Sequence, residues 1–183
     1  MRRITQVAIL GAFAFLFMQF LEVPRGLFAP FLKYDPGDIP ALIATFAVGP
    51  VAGITVELVK GVLITLFAFK EHGPFGVLMN TLAGIALVGV AGAYYLVEHT
   101  KIGAIKSLIL GVLTMTAAMI IANVILTPVF FPGFSRDQIV ALILPALLPF
   151  NLLKGAVTSL ITYLVYKRVR VYLYEWIGDR TAW

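Results

Sequence analysis

Residues 107–135 read SLILGVLTMTAAMIIANVILTPVFFPGFS, 29 consecutive positions without a formal charge. A helix that crosses a bilayer needs about 20 predominantly apolar residues, so this run is long enough with some to spare. Pro128 and Pro132-Gly133 trim it, because proline pushes the residue before it away from helical geometry. A span at 105–127 remains. The run identifies lipid as the solvent, and the rest of the chain can be read against that.

The composition agrees. Of 183 residues 61% are hydrophobic and 13% charged, against about 45–50% and about 25% in soluble domains. A soluble fold of this size cannot hide so much apolar surface, which excludes an ordinary soluble enzyme, a coiled coil and a disordered chain. With no cysteine, disulfides, thiolate metal sites and cysteine nucleophiles are excluded. His72 and His99 stand 27 positions apart, a spacing that suggests no metal. The net charge of +5 points to basic flanks of membrane spans rather than to nucleic acid.

Working outward, charge-free runs predict spans at 4–21, 38–49, 51–69, 75–97, 105–127 and 149–167. The first resembles a signal peptide, but no small-residue cleavage site precedes Glu22. Gly49-Pro50 breaks the second run and ends a helix near Val48. Lys70-Glu71-His72-Gly73-Pro74 reads as a loop. Residues 136–145 read as a short helix on the membrane surface, ahead of a last span that starts near Pro149. The expected fold is an all-α integral membrane protein, one domain over 1–183. It has six transmembrane helices, a long extracellular loop between helices 1 and 2, and a short surface helix before helix 6. Six spans put both termini on one side with Arg2, Arg3, Lys101, Lys106, Lys167, Arg168, Arg170 and Arg180. The other side holds Arg25, Lys33, Lys70 and Arg136. Eight basic residues against four place both termini in the cytoplasm.

Polar residues inside spans are costly and mark function by default. Asn80, Asn123, Asn151 and Lys154 all fall in the outer third, from three different helices. Asn151 and Lys154 are three apart and share a helix face. Amides that donate and accept, beside an ammonium with three donors, suit a ligand with carbonyls, ring nitrogens or hydroxyls. The competing readings are asparagines that only join helices and a lysine that snorkels outward. Glu57 and Lys60, three apart on span 3, read as a neutralising pair on the helix surface. The outer loop from Glu22 to Asp38 is long enough to be a lid. Its Phe28, Phe31 and Tyr34 would stack on a ring or anchor at the interface, while Lys33, Asp35 and Asp38 face water or ligand. Asp38 could instead cap span 2. Ala8 and Ala12, four apart on span 1, would let another helix approach closely.

The chain has no G-x-x-x-x-G-K-[ST] phosphate loop, no H-E-x-x-H and no G-x-S-x-G, so neither an ATPase nor a membrane-embedded enzyme is expected. No internal repeat supports a transporter of two pseudosymmetric halves.

Three stretches carry a resemblance: Phe31-Leu-Lys-Tyr-Asp-Pro-Gly-Asp-Ile-Pro-Ala41, Gly49-Pro-Val-Ala-Gly-Ile-Thr-Val-Glu-Leu-Val-Lys60 and Pro149-Phe-Asn-Leu-Leu-Lys-Gly155. With these the chain resembles the substrate-binding S components of energy-coupling factor (ECF) vitamin transporters, and among them the riboflavin-binding members. The resemblance implies a non-catalytic subunit of the bacterial cell membrane that captures riboflavin, or flavin mononucleotide, from outside. It implies a transmembrane coupling subunit and two cytoplasmic ATPases as partners. By position it gives polar contacts to the ligand from Asn151 and Lys154, with Asn80 and Asn123 as further candidates. Ala8 and Ala12 would meet the coupling subunit. No cofactor is implied.

Overall fold

Helix ends in this chain follow its glycines and prolines. The computed structural model describes residues 2–21 and 33–177, with side chains at 4–21, 33–70 and 72–166. Phe28, Phe31 and Arg25 lie outside the described residues. The helices are α1 (Arg2–Phe20), α2 (Asp38–Val48), α3 (Pro50–Phe67), α4 (Phe69–Tyr95), α5 (Lys101–Phe130), α6 (Arg136–Ala141) and α7 (Leu148–Ile177), with a π turn at Ile143–Leu147 before α7.

α2 ends where Gly49 takes φ +124°, a conformation that suits glycine, and Pro50 opens α3 at its first turn. The expected loop at 70–74 is instead a kink. Lys70, Glu71 and His72 wind into a helical turn, and the break is confined to Gly73 at φ +65°, just ahead of Pro74. α5 runs through Pro128 to Phe130. A proline this close to a helix end disturbs little of the ladder behind it. Ser135 and Gln138 form a reciprocal capping box that starts α6. Pro145 cannot donate a backbone bond, and the winding widens around it: Leu147 N–H donates to Leu142 five residues back, at 2.9 Å.

Among the described residues, four helical segments are long and apolar enough to cross a membrane: Pro50–Phe67, His72–Tyr95, Lys101–Phe130 and Ile143–Tyr166. Ile4–Phe20 and Asp38–Val48 are shorter. The outward faces are apolar as well, as Leu58, Val62 and Leu66 of α3 and Ile121 and Ile125 of α5 show. A helix apolar both inside and out belongs in lipid, so this is a membrane protein.

α2 positions everything else. It has 11 residues, about 16 Å at 1.5 Å per residue, roughly half of a ~30 Å hydrocarbon core. Asp38 through Ala47 are all buried, and α2 packs against α1, α3, α4 and α7. Small residues allow this central place. A Cβ on Gly53 of α3 would strike Thr45 of α2, and one on Gly92 of α4 would strike Pro50 and Thr45. Leu42, Ala44, Phe46, Leu87, Val88 and Met115 fill the core around it.

Candidate functional site

A short central helix has its first residues inside the bundle, and here those residues are acidic. Asp35 precedes α2 by one turn and Asp38 is its first residue. Gly37, rather than Asp38, occupies the N-cap position, and no side chain caps the helix. Asp38 therefore has its carboxylate free for other helices, contrary to the capping alternative. Asp35 folds back locally: its Oδ1 accepts the Gly37 N–H at 3.0 Å, an Asx turn. Neither acid faces water, since both are buried.

Their partners come from three helices. Lys154 Nζ of α7 lies 3.2 Å from Asp35 Oδ2 and 3.3 Å from Asp38 Oδ2. Lys60 Nζ of α3 lies 2.6 Å from Asp38 Oδ1 and 2.6 Å from Glu57 Oε2. Asn80 of α4 donates from Nδ2 to Asp35 Oδ2 at 2.7 Å. The Asp38, Glu57 and Lys60 side chains are 0% exposed. Gly84 of α4 makes the space for Glu57, because a Cβ there would overlap the carboxylate. Isolated charges at this depth would be prohibitive, so the network is what permits them.

The network leaves groups available to a ligand. An ammonium has three donors, and Lys154 spends one of them on Asp35 Oδ2, with Asp38 Oδ2 an ion-pair neighbour that accepts no hydrogen bond. Asn80 Oδ1 is buried without a hydrogen-bond partner. Tyr34 lies beside this cluster, and burial above all raises its phenol above the ordinary value, while Thr158 and Lys154 act in the opposite sense. The phenol thus stays protonated at neutral pH and can donate. Acceptors, donors and an aromatic ring meet at one place.

The comparisons with known proteins bear on this arrangement. Residues 2–166 match the family described as "ECF transporter, substrate-specific component". The chain belongs to that family. It is 34% identical over 177 residues to "Riboflavin transporter RibU" of Staphylococcus aureus (strain TCH60), covering 94% of this chain and 92% of the relative. It is 30% identical over 179 residues to "Riboflavin transporter FmnP" of Bacillus subtilis (strain 168), covering 94% of each. A solved structure described as "Structure and mechanism of the S component of a bacterial ECF transporter" superposes with a TM-score of 0.78 at 34% identity. The match covers 93% of this chain and 96% of that one.

In this S component the expected site residues divide. Tyr34, Asp35, Asp38, Asn80 and Lys154 are brought together. Asn151 is buried three residues before Lys154, and its amide donates to the Leu147 carbonyl at the end of the π turn, at 2.7 Å. Asn123 likewise donates to Met119 O at 2.8 Å and accepts from Thr127 at 3.3 Å. Both amide donors are spent on backbone carbonyls one turn earlier. Ala8 and Ala12 are exposed on α1, away from the face of Gly11, Ala14 and Met18. Glu57 and Lys60 do pair, but not on a helix surface. They are buried, and Lys60 reaches on to Asp38. The reading of α3 by itself missed this, since the third partner is 22 residues away. The one available signal is charge balance at Lys154, which lies in an apolar run with no acid in its own span and so needs one from elsewhere.

Proposed function

We propose that this S component binds riboflavin in the outer half of the bundle. We place the polar edge of the ligand against Lys154, Asp35, Asp38 and Asn80, with Asn151 and Asn123 nearby and Tyr34 beside the ring. The observation that carries the reading is the 34% identity to a riboflavin transporter across nearly the whole chain. The buried cluster supports it: a flavin offers a planar ring, a polar pyrimidine edge and a hydroxylated chain, and each has a complement here. The loop before α2 then acts as a lid. In this reading the chain forms one domain of six spans in the bacterial cell membrane, α1 and α2 completing the set, with both termini cytoplasmic. It does no catalysis of its own. A coupling subunit packs on the Ala8 and Ala12 face of α1, and two ATPases supply the energy for delivery inside.

The absorption spectrum of the purified chain tests this first. Flavin bands near stoichiometric amount are expected, together with quenched fluorescence when riboflavin is titrated into ligand-free protein. No bands and no quenching would overturn riboflavin as substrate, and binding of another heterocyclic vitamin would reassign it. Liposomes holding this chain alone should show no riboflavin uptake until the coupling subunit and ATPases are added.

A further inference from the structure

We propose that Lys60 and Glu57 are positioning residues for ligand capture: they set how tightly Asp38 holds Lys154, and so how free that ammonium is to turn to a ligand. The inference rests on the riboflavin reading of the same site. Neither residue needs to touch the ligand, because both act through Asp38.

The distances carry the argument. Asp38 is shared, with Oδ1 held by Lys60 at 2.6 Å and Oδ2 facing Lys154 at 3.3 Å. Asp35 holds Lys154 at 3.2 Å while spending its other oxygen on Gly37 and sharing Oδ2 with Asn80. Charge-assisted hydrogen bonds between nitrogen and oxygen are short, about 2.7–2.9 Å. Lys60 thus grips Asp38 closely, whereas both carboxylates hold Lys154 loosely. A loosely held ammonium can exchange a carboxylate for a ligand acceptor at little cost. Glu57 works against this grip, because it draws the same Lys60 nitrogen toward itself at 2.6 Å. It is wedged in place by α4 at Gly84.

The arrangement therefore predicts opposite signs. Without Lys60, the Asp38 charge has only Lys154 to turn to, and Lys154 is withdrawn from the ligand. Without the Glu57 charge, Lys60 is given wholly to Asp38, and Lys154 is released further. Residues that merely support the fold would both weaken binding when changed.

The test is riboflavin affinity of the full chain in detergent, read by fluorescence quenching, for wild type, Lys60→Met, Glu57→Gln, Asp38→Asn and the Lys60→Met/Asp38→Asn double variant. Lys60→Met should weaken binding about tenfold or more, the scale expected when a buried charge loses its partner. Glu57→Gln should tighten it, by about twofold to threefold, a few tenths of the tenfold free-energy step. The double variant should bind no more weakly than Asp38→Asn alone, because the link between the lysines is already cut. A loss in both single variants, or an equal Lys60→Met cost with and without Asp38→Asn, overturns the proposal. If Lys60→Met does not fold, the shape-conserving Glu57→Gln decides alone: a tightened affinity supports the proposal, and an unchanged or weakened one overturns it. Wild type that binds no riboflavin removes the functional reading and this inference together. Wild type that binds, with the wrong variant pattern, removes only the inference.

Discussion

Among the described residues, two clusters of the same chemistry lie in opposite surroundings. In the bundle, Asp35, Asp38, Glu57, Lys60 and Lys154 are buried and joined across α2, α3 and α7. At the α4–α5 turn, Glu98 pairs with Lys106 at 3.1 Å, with the two side chains 29% and 50% exposed, and also accepts from Tyr94 at 3.0 Å. The bond lengths overlap, yet the consequences differ. Water solvates either partner of the exposed pair when the other is lost, whereas nothing solvates a stranded charge in the bundle. A buried pair is weak evidence of net stabilisation, but losing half of one is severe. The buried cluster is thus kept for what it positions, and the exposed pair trims a turn.

Asp38→Ala is the sharpest way to break the comparison. It leaves Lys60 with Glu57 alone and Lys154 with Asp35 alone. Removing one partner from a buried ion pair costs about 3–5 kcal/mol, so the thermal midpoint in detergent should fall further than for any other single change here. Riboflavin quenching should be lost with it. Lys154→Ala comes next in size for binding, since it removes the donor offered to the ligand. If either variant kept both the midpoint and the affinity of the wild type, the cluster would be no more consequential than the surface pair.

Gly84→Ala probes the same cluster without touching a charge. The added methyl overlaps the Glu57 carboxylate, and forcing atoms into a packed site costs about 1–3 kcal/mol. Combining it with Glu57→Ala should recover most of the Gly84→Ala loss, because the clash is gone; what stays is the cost of leaving Lys60 with Asp38 alone. Measuring the cycle by thermal unfolding separates steric from electrostatic cost. A strictly additive cycle would show that Gly84 and Glu57 do not share space.

Much of this was legible in the sequence, for reasons that differ by region. The membrane class followed from the 29-residue charge-free run. Gly49-Pro50 announced a break, and α2 does end at Val48. Lys154 was conspicuous because an ammonium in an apolar run needs partners, and Asn80 likewise joins its network. The misreadings share one cause. Local patterns do not reveal depth, so Asp35 and Asp38 read as loop residues that face water or ligand, and only the half-length α2 that carries them into the bundle decides against water. Glu57 and Lys60 read as a pair closed on itself because spacing of three explains both charges locally. The link from Lys60 to Asp38 is tertiary, and no periodicity encodes it. Gly73-Pro74 misled in the other direction: the loop expected there shrinks to one non-helical residue, Gly73, between two helical segments.

The smallest expected effect comes from the exposed cluster. The hydrogen bond from Lys106, together with that from Tyr94, holds the Glu98 carboxyl below its ordinary range. A depressed carboxylate contributes stability above its unfolded value and loses it as pH falls through the folded one. Lys106→Ala should therefore leave the thermal midpoint nearly unchanged, as exposed pairs usually do. Any small shift should vanish in high salt, because the screening length falls to about 3 Å at 1 M, and it should fade as Glu98 protonates. The buried cluster answers differently: salt does not reach it, so the Asp38→Ala loss should persist at 1 M. Measuring both variants in low and high salt puts the two regions on one scale. A Lys106→Ala midpoint loss that survives high salt would mean that the turn is anchored by packing of the lysine stem rather than by its charge.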